Sequence, residues 1–581
     1  MFTLLSGNEA FARGAYEANV KVVSSYPGTP STEITENLKN YPTIYAEWAV
    51  NEKVALEVAA GASLAGKRAM TCMKHVGLNV AADPLMTLSY TGVNGGLVII
   101  VCDDPGMHSS QNEQDSRNFA RFSKLPMIEP SDSMEAKEYL IQAYELSEKF
   151  ECPVFIRSTT RLSHSKSTVE LKEKIITEEK NIEINPDKWV MVPANAKKRH
   201  VIVEERLKQL QIFFESAEIN KIELNSKNMG FICSGIIYQY IKEVFPDASI
   251  FKLASVYPLP IKRIKEFLTK VKNTYVLEEL DPFLERELRA EGLTIISTKR
   301  PICGELSPDI IKNIFLKDKN AIKNPYKNLP ARPPNLCAGC AHRGIFYAIN
   351  KLKLFVTGDI GCYTLGYLSP LNSIHSCVCM GASISMSHGI DKATGGYSSK
   401  NTVAVIGDST FLHTGINGLI NAVYNKGCST IIILDNRTTA MTGHQDNPAT
   451  GITLKGDPTY KLNFVELAKA LGIKNVATID PTDVEKCITI LKEETNKDEL
   501  SLIITTRACL YADRSVISNP YSILWDKCTG CKVCLKLGCP AISFNVEENK
   551  ASIDITLCTG CTLCVKVCKF SAISEYTTND D

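Results

Sequence analysis

The sequence predicts an α/β protein of several doubly wound parallel-sheet domains, followed by a small, cysteine-rich α+β domain at its C-terminal end. Three observations predict this. Short apolar runs such as Leu97–Val101, Thr402–Ile406 and Thr430–Leu434 alternate with segments of helical length, the order from which strand–helix–strand units build parallel sheets with ligands at the carboxyl ends of their strands. Two polar stretches interrupt the alternation: Ser163 to Arg199, read as a linker or surface excursion, and a Lys/Asn/Pro-rich connector from Lys317 through Pro334. Eight of the 21 cysteines then crowd between Cys528 and Cys568. These breaks predict domains at 1–165, 200–315, 335–515 and 520–581.

Within the first domain, Val54, Val58, Ala62 and Ala65 recur at helical spacing after Asn51-Glu52-Lys53 and predict a helix rich in small residues. Composition excludes several classes. Apolar residues make up 44% and charged residues 22%, an ordinary globular balance. Lys and Arg number 65 against 64 Asp and Glu, so no global field draws the chain to nucleic acid or an anionic membrane. The longest apolar runs, such as Leu97–Cys102 and Ile431–Leu434, fall far short of the roughly 20 residues that span a bilayer. The first residues, Met1 to Glu9, carry no basic segment and no long apolar one, so no signal peptide is read. A soluble cytoplasmic protein is expected, without a nucleic-acid or membrane partner.

The cysteine spacing is specific. Cys528-x2-Cys531-x2-Cys534-x4-Cys539-Pro540 is followed by Cys558-x2-Cys561-x2-Cys564-x3-Cys568, the pattern of two-cluster bacterial ferredoxins, in which the fourth cysteine of each run ligates the other cluster. Cys528, Cys531, Cys534 and Cys568 are therefore assigned to one [4Fe-4S] cluster, and Cys539, Cys558, Cys561 and Cys564 to a second. The competing reading is a pair of structural zinc sites. Two departures stand out: the gap before Cys539 is one residue longer than usual, and Lys569 replaces the usual proline.

Strand Thr402–Ile406 runs into Gly407-Asp408-Ser409-Thr410, and strand Thr430–Leu434 into Asp435-Asn436-Arg437-Thr438. A carboxylate on one strand end and an amide oxygen on the next form a hard oxygen site for Mg²⁺. The pair resembles the diphosphate-binding motif of thiamine diphosphate enzymes, a Gly-Asp-Gly start and an Asn-Asn end about 30 residues on. That resemblance implies cofactor contacts from Gly407, Asp408, Ser409, Asn436 and Thr438, with Asp408, the Asn436 side chain and the Thr438 carbonyl on Mg²⁺. Ser409 and Asp435 depart from the motif, and a plain strand-to-helix turn is the alternative for either loop alone. Such enzymes also need a carboxylate, in a separate pyrimidine-binding domain, that protonates the aminopyrimidine. Glu52 is the candidate, against Glu47 and Glu57 and against a simple role at a helix N-terminus.

Further stretches resemble the 2-oxoacid:ferredoxin oxidoreductases, and within them the large (alpha) subunit of the indolepyruvate branch: Tyr26–Glu33, Asn51–Glu57, Lys74–Asn79, Asp103–Arg117, Gly407–Gly415 and Ala440–Gln445. The resemblance covers nearly the whole chain. It implies a pyrimidine-binding thiamine domain at 1–165, a transketolase-C-like domain at 200–315, a diphosphate-binding domain at 335–515 and a ferredoxin domain at 520–581. The implied reaction is oxidative decarboxylation of aryl pyruvates to aryl-acetyl-CoA and CO₂, with coenzyme A as acceptor, ferredoxin reduced, and a small (beta) subunit completing a hetero-oligomer. Oxygen sensitivity is expected of such an enzyme. Thr29 is the implied grip on the substrate carboxylate or keto oxygen, and His75 and His413 are preferred over His108 and His444 as catalytic histidines. Cys337, Cys340, Cys362 and Cys509 resemble the ligands of a third [4Fe-4S] cluster near thiamine, with zinc or a vacant motif as alternatives and Cys377-Val378-Cys379 as a rival source of the fourth ligand. Two functional alternatives stand beside this one: a pyruvate, 2-oxoglutarate or branched-chain 2-oxoacid oxidoreductase, and an electron-transfer subunit with a vestigial thiamine site.

Overall fold

A computed structural model of the chain describes residues 1–177, 180–317, 330, 333–396 and 399–577. Most of the expected connector Lys317–Pro334 lies outside the described residues. The chain divides into two units, Met1–Leu329 and Pro330–Asp581.

In the first unit the strands in chain order are β1 (Phe2–Ser6), β2 (Val22–Ser25), β3 (Tyr45–Trp48), β4 (Ala69–Lys74), β5 (Leu97–Asp103), β6 (Met127–Ile128), β7 (Val154–Thr159), β8 (Lys166–Glu170), β9 (Lys221–Glu223), β10 (Met229–Ser234), β11 (Ser249–Leu253), β12 (Ser255–Tyr257) and β13 (Asn273–Leu277). Seven of them form one sheet in the order β12-β6-β7-β5-β4-β2-β3, parallel except at β12. β4 and β5 are buried at every position, as strands covered on both faces must be, and both read as continuous apolar runs until a charged residue ends them. The helix Glu52–Leu64 begins where Asn51 accepts a hydrogen bond from the Val54 amide at 2.9 Å. Its buried face is Ala55, Leu56, Ala59 and Ser63, one position over from the expected Val54–Val58–Ala62 stripe. The smaller residues face inward because the helix packs closely on β2 and β4.

A second sheet, β13-β10-β11-β9, belongs to the 200–315 segment. That segment also supplies β12 to the first sheet, antiparallel to β6, and Phe251, Phe267 and Leu284 share one core with Leu56, Ile99 and Phe155. Charge joins the two segments as well. Arg117, 1% exposed, binds Asp115 at 2.5 Å and Glu278 at 2.7 Å, and donates to the Glu279 and Asp281 carbonyls. Arg157 binds Asp103 at 2.7 Å and also Glu129, which accepts from Ser234 at 2.6 Å.

The expected linker Ser163–Arg199 is partly regular structure. Lys166–Glu170 is β8, paired antiparallel with β1, and a helix runs from Pro193 to Ser216. Only Val169 is buried along β8, and only Val203, Arg206, Leu210 and Phe214 along the helix. Both elements cover a surface, so their apolar signal is thin enough to read as linker.

In the second unit, β14 (Phe355–Thr357), β15 (Thr402–Gly407), β16 (Thr430–Asp435), β17 (Asn475–Ile479) and β18 (Ser501–Thr506) form an all-parallel sheet in the order β14-β15-β16-β18-β17. Alternation splits these strands between two cores. Val403, Val405, Ile432 and Leu434 face one side, and Ala404, Ile406, Ile431 and Ile433 the other. The first of these cores also holds Leu537, Leu563, Val567 and Ile573, so the C-terminal segment is packed against the sheet rather than tethered to it. There β19 (Tyr521–Ile523) pairs antiparallel with β22 (Ile573–Glu575), and β20 (Ile542–Asn545) with β21 (Lys550–Ile553). Among the described residues no helix is long and apolar enough to cross a membrane.

Replacing Arg117 by Leu leaves Asp115 and Glu278 buried without their cation. The expected loss is about 3–5 kcal/mol of stability in the first unit, read by urea unfolding. Adding Asp115→Asn and Glu278→Gln should recover a good part of it.

Candidate active site and cluster sites

The register of β15 on β16 pairs Gly407 with Leu434, so Asp408 and Asp435-Asn436 emerge together at the carboxyl edge of the sheet. Asp408 is buried. Its Oδ1 accepts from the Ser409 amide at 2.8 Å, while its buried Oδ2 has no hydrogen-bond partner. Burial, reinforced by Asp435, pushes the Asp408 carboxyl up to about 7. The Asn436 side-chain oxygen lies 3.3 Å from Asp408 Oδ1 and 2.8 Å from the Thr438 carbonyl oxygen. Three oxygens that face one another repel unless the amide turns its nitrogen inward or a cation sits among them. The donor set therefore fits Mg²⁺. Tight packing holds the loop: a Cβ on Gly407 would lie 2.6 Å from the Tyr363 ring, and Thr439 donates to Ser409 Oγ at 3.0 Å. His413 is buried in the turn Phe411–Gly415 on the same edge, with Nδ1 3.2 Å from Thr414 Oγ1.

In the first unit the carboxyl ends of β2, β4 and β5 gather a second group. Of the three candidate carboxylates, Glu57 pairs with Lys53 on the surface, and half-buried Glu47 accepts from Ser24 and Tyr45 at 2.8 and 2.7 Å. Glu52 is buried on the first helical turn, and a Cβ on Gly77 would lie 2.5 Å from its Oε1. Only glycine lets the helix His75–Val80 pass so close to that carboxyl. Lys74 ends β4 beside it. Burial pushes the Lys74 ammonium down to about 8, against the pull of Asp104 and Glu52. Its Nζ donates to the Ser109 carbonyl at 2.7 Å, and Ser109 Oγ donates to the Thr29 carbonyl at 3.2 Å. Asp104 orders this loop by accepting from the Ser109 amide, Ser110 and Thr160 at 2.9, 2.5 and 2.7 Å. Thr29, Lys74 and Glu52 thus lie in one neighbourhood. Lys74 was not singled out from the sequence, although a lysine that ends a fully buried strand is a signal, since burying an ammonium is costly. His75 is in place: its ring is buried, with Nε2 3.1 Å from the Asn112 carbonyl oxygen and Nδ1 without a hydrogen-bond partner. His108 meets Glu305 at 3.2 Å, and the His444 ring lies 5.7 Å from that of Tyr511.

The eight C-terminal cysteines line two separate cavities. One is lined by Cys528, Cys531, Cys534 and Cys568, the other by Cys539, Cys558, Cys561 and Cys564. Each cavity collects the fourth cysteine of the opposite run. Burial and the neighbouring thiols push Cys564 up to about 12, a cost that a cationic iron core removes. Among the described residues no group of three or more His, Cys, Asp or Glu is arranged to hold a single metal ion.

Cys337, Cys340, Cys362 and Cys509 are also brought together. Cys362 is pushed up to about 11 by burial and by Cys509 and Cys337, and Cys340 up to about 12 by burial, with Cys337 and Cys362 adding to it. Cys377 is influenced instead by Asp359 and Cys379. The quartet adjoins the oxygen site, because the Cys509 amide donates to the Asn436 carbonyl at 3.0 Å.

Comparison with known proteins sets these sites in a family. The chain is 40% identical over 614 residues to the indolepyruvate oxidoreductase subunit IorA of Archaeoglobus fulgidus, covering 99% of this chain and 98% of that one. The IorA of Pyrococcus horikoshii is 38% identical, covering 98% and 96%. The chain belongs to the IorA family. By contrast, the ketoisovalerate oxidoreductase subunit VorB of Methanothermobacter marburgensis is 22% identical and covers 49% of this chain and 88% of its own. Three family models divide the chain: the thiamine-binding domain of pyruvate flavodoxin/ferredoxin oxidoreductases at residues 13–221, the C-terminal binding domain of thiamine pyrophosphate enzymes at 359–505, and a 4Fe-4S dicluster domain at 521–569.

Asp408→Ala is expected to lose Mg²⁺-dependent binding of thiamine diphosphate, and Glu52→Gln to keep it, both measured by calorimetry on cofactor-stripped protein. A wild-type isotherm from Asp408→Ala would move the ligand role to Asp435.

Proposed function

We propose that this chain is the catalytic subunit of an aryl-pyruvate:ferredoxin oxidoreductase that converts indolepyruvate and its aryl analogues, with coenzyme A, to aryl-acetyl-CoA and CO₂. Thiamine diphosphate, when bound, supplies the electron sink that makes decarboxylation possible. Asp408, Asn436 and the Thr438 carbonyl hold its Mg²⁺. Glu52 keeps a proton in exchange with the pyrimidine ring. Lys74 receives the substrate carboxylate, and Thr29 orients the keto acid beside it.

One observation carries the redox part of this reading. The quartet of Cys337, Cys340, Cys362 and Cys509 is joined to the oxygen site by the bond from the Cys509 amide to Asn436. A decarboxylase that only protonates its product needs no electron acceptor at that place. We assign the quartet to a third [4Fe-4S] cluster: Cys337, Cys340, Cys362 and Cys509 would hold it, and it would supply a one-electron acceptor beside the oxygen site, on the way to the two clusters of the C-terminal segment. The small subunit completes the enzyme, and ferredoxin is the final acceptor. A cytoplasmic, anaerobic setting suits clusters held by partly exposed cysteines.

The chain is to be co-expressed anaerobically with its small subunit, and viologen reduction followed with indolepyruvate, pyruvate and 2-oxoglutarate, each with and without coenzyme A. Reduction with the aryl substrate alone, dependent on coenzyme A, is the expected result. Reduction with pyruvate in its place would discard the aryl assignment. Iron analysis should give about 12 rather than about 8 atoms per chain.

Lys74 gives a pH signature. An ammonium attracts carboxylate only while protonated, which holds below about 8 for this group. Asp104 and Glu52 are the charged groups that face it. The value of kcat/KM, which reports the free enzyme, should therefore fall about tenfold per pH unit above that point. Lys74→Met should lower it about 100-fold at pH 7 and remove the alkaline fall, as expected for loss of a charge-assisted hydrogen bond. An unchanged pH profile in that variant would assign the carboxylate to another group.

A further inference from the structure

Arg343 is the first residue of the helix Arg343–Leu352 and is 1% exposed. Unlike Arg117 and Arg157, it has no carboxylate partner among the described residues. Its donors are spent on main-chain carbonyls of two loops. Nε donates to Cys337 at 3.0 Å and Nη2 to Leu336, while Nη1 donates to Leu537 at 2.9 Å and Gly538 at 2.6 Å. One loop carries Cys337 and Cys340, and the other leads into Cys539. After burial itself, the largest influences on the guanidinium are the sulfurs of Cys340, Cys539, Cys337 and Cys561, and His342 lies close enough to feel its charge. Arg343 also lines the cavity of the Cys539, Cys558, Cys561 and Cys564 cluster. The Cys337–Cys340 loop also touches the loop that carries Cys558 and Cys561, since a Cβ on Gly339 would lie 1.9 Å from Thr559 Oγ1 and 3.6 Å from Cys561 Cβ.

An uncompensated buried guanidinium costs several kcal/mol. The anions able to offset it here are the clusters themselves, because four thiolates leave a [4Fe-4S] centre with net negative charge that grows by one on reduction. We infer that Arg343 is a positioning residue for electron transfer: it clamps the loop of the proposed third cluster against the adjoining ferredoxin-type cluster, and its fixed charge makes both easier to reduce. In each transfer the third cluster is oxidised by one electron as its neighbour is reduced by one, and the reaction described above supplies the electrons in turn. This inference rests on the third cluster proposed there.

The test is a potentiometric EPR titration of the anaerobically purified complex, comparing wild type with Arg343→Gln and Arg343→Lys at equal iron content. Arg343→Gln should lower the reduction potentials of the two clusters beside it and leave the Cys528, Cys531, Cys534 and Cys568 cluster unmoved, and Arg343→Lys should restore most of the difference. Full iron with all potentials unchanged, or all three shifted alike, would overturn the inference and leave the third cluster standing. About 8 irons per wild-type chain would remove the third cluster and this inference with it. If neither variant holds its iron, the wild type decides. Spin–spin broadening between the two adjacent clusters when both are reduced supports the clamp, and narrow, independent signals overturn it.

Discussion

Parallel strands buried on both faces hold a charged side chain in their interior only where carboxylates pair with it, as with Arg157 on β7, and otherwise carry it at the end of the strand. Both units of this chain are organised by that constraint. β4 ends in Lys74, β5 in Asp103 and Asp104, β15 in Asp408, and β16 in Asp435 and Asn436. Each group follows a strand that is almost wholly apolar up to its last residue. Parallel register then brings the ends together, so the thiamine-site residues converge without long-range charge pairing to guide them.

Buried charge is handled in two ways. In the first unit Arg117 and Arg157 are each shared between two carboxylates, and the Arg117–Glu278 pair, with the hydrogen bond from Ser234 to Glu129, joins the segment after β9 to the thiamine domain. In the second unit Arg343 has carbonyls and sulfurs instead. The first arrangement is complete within the polypeptide. On the cluster assignment proposed above, the second is balanced when the cysteines hold iron, which would tie the packing of the Cys337 loop to cluster assembly.

Much of this was legible in the sequence, for reasons of scale. Ligand spacing in the ferredoxin segment spans a few residues, so the crossed assignment of Cys568 and Cys539 could be read directly, and the two cavities follow it. The strands before Asp408 and Asn436 are uninterrupted apolar runs and fall within a residue of expectation. What escaped depends on partners distant in the chain. β8 has one buried residue and exists because β1 lies beside it. Lys74 becomes chemically distinctive only when the loops of Gly28-Thr29 and Asp104–Ser110 close over it. Arg343 reads as an ordinary helix-starting basic residue until the carbonyls of Leu537 and Gly538 are placed next to it.

The strand β12 bears on how such chains can be inherited. It leaves the 200–315 segment to complete the edge of the neighbouring sheet, and the Arg117–Glu278 pair crosses the same boundary. Homologous recombination that exchanged this segment between relatives would have to carry a matching β6, Arg117 and Glu129 with it. The thiamine domain and its companion are thus a single heritable block within the unit Met1–Leu329.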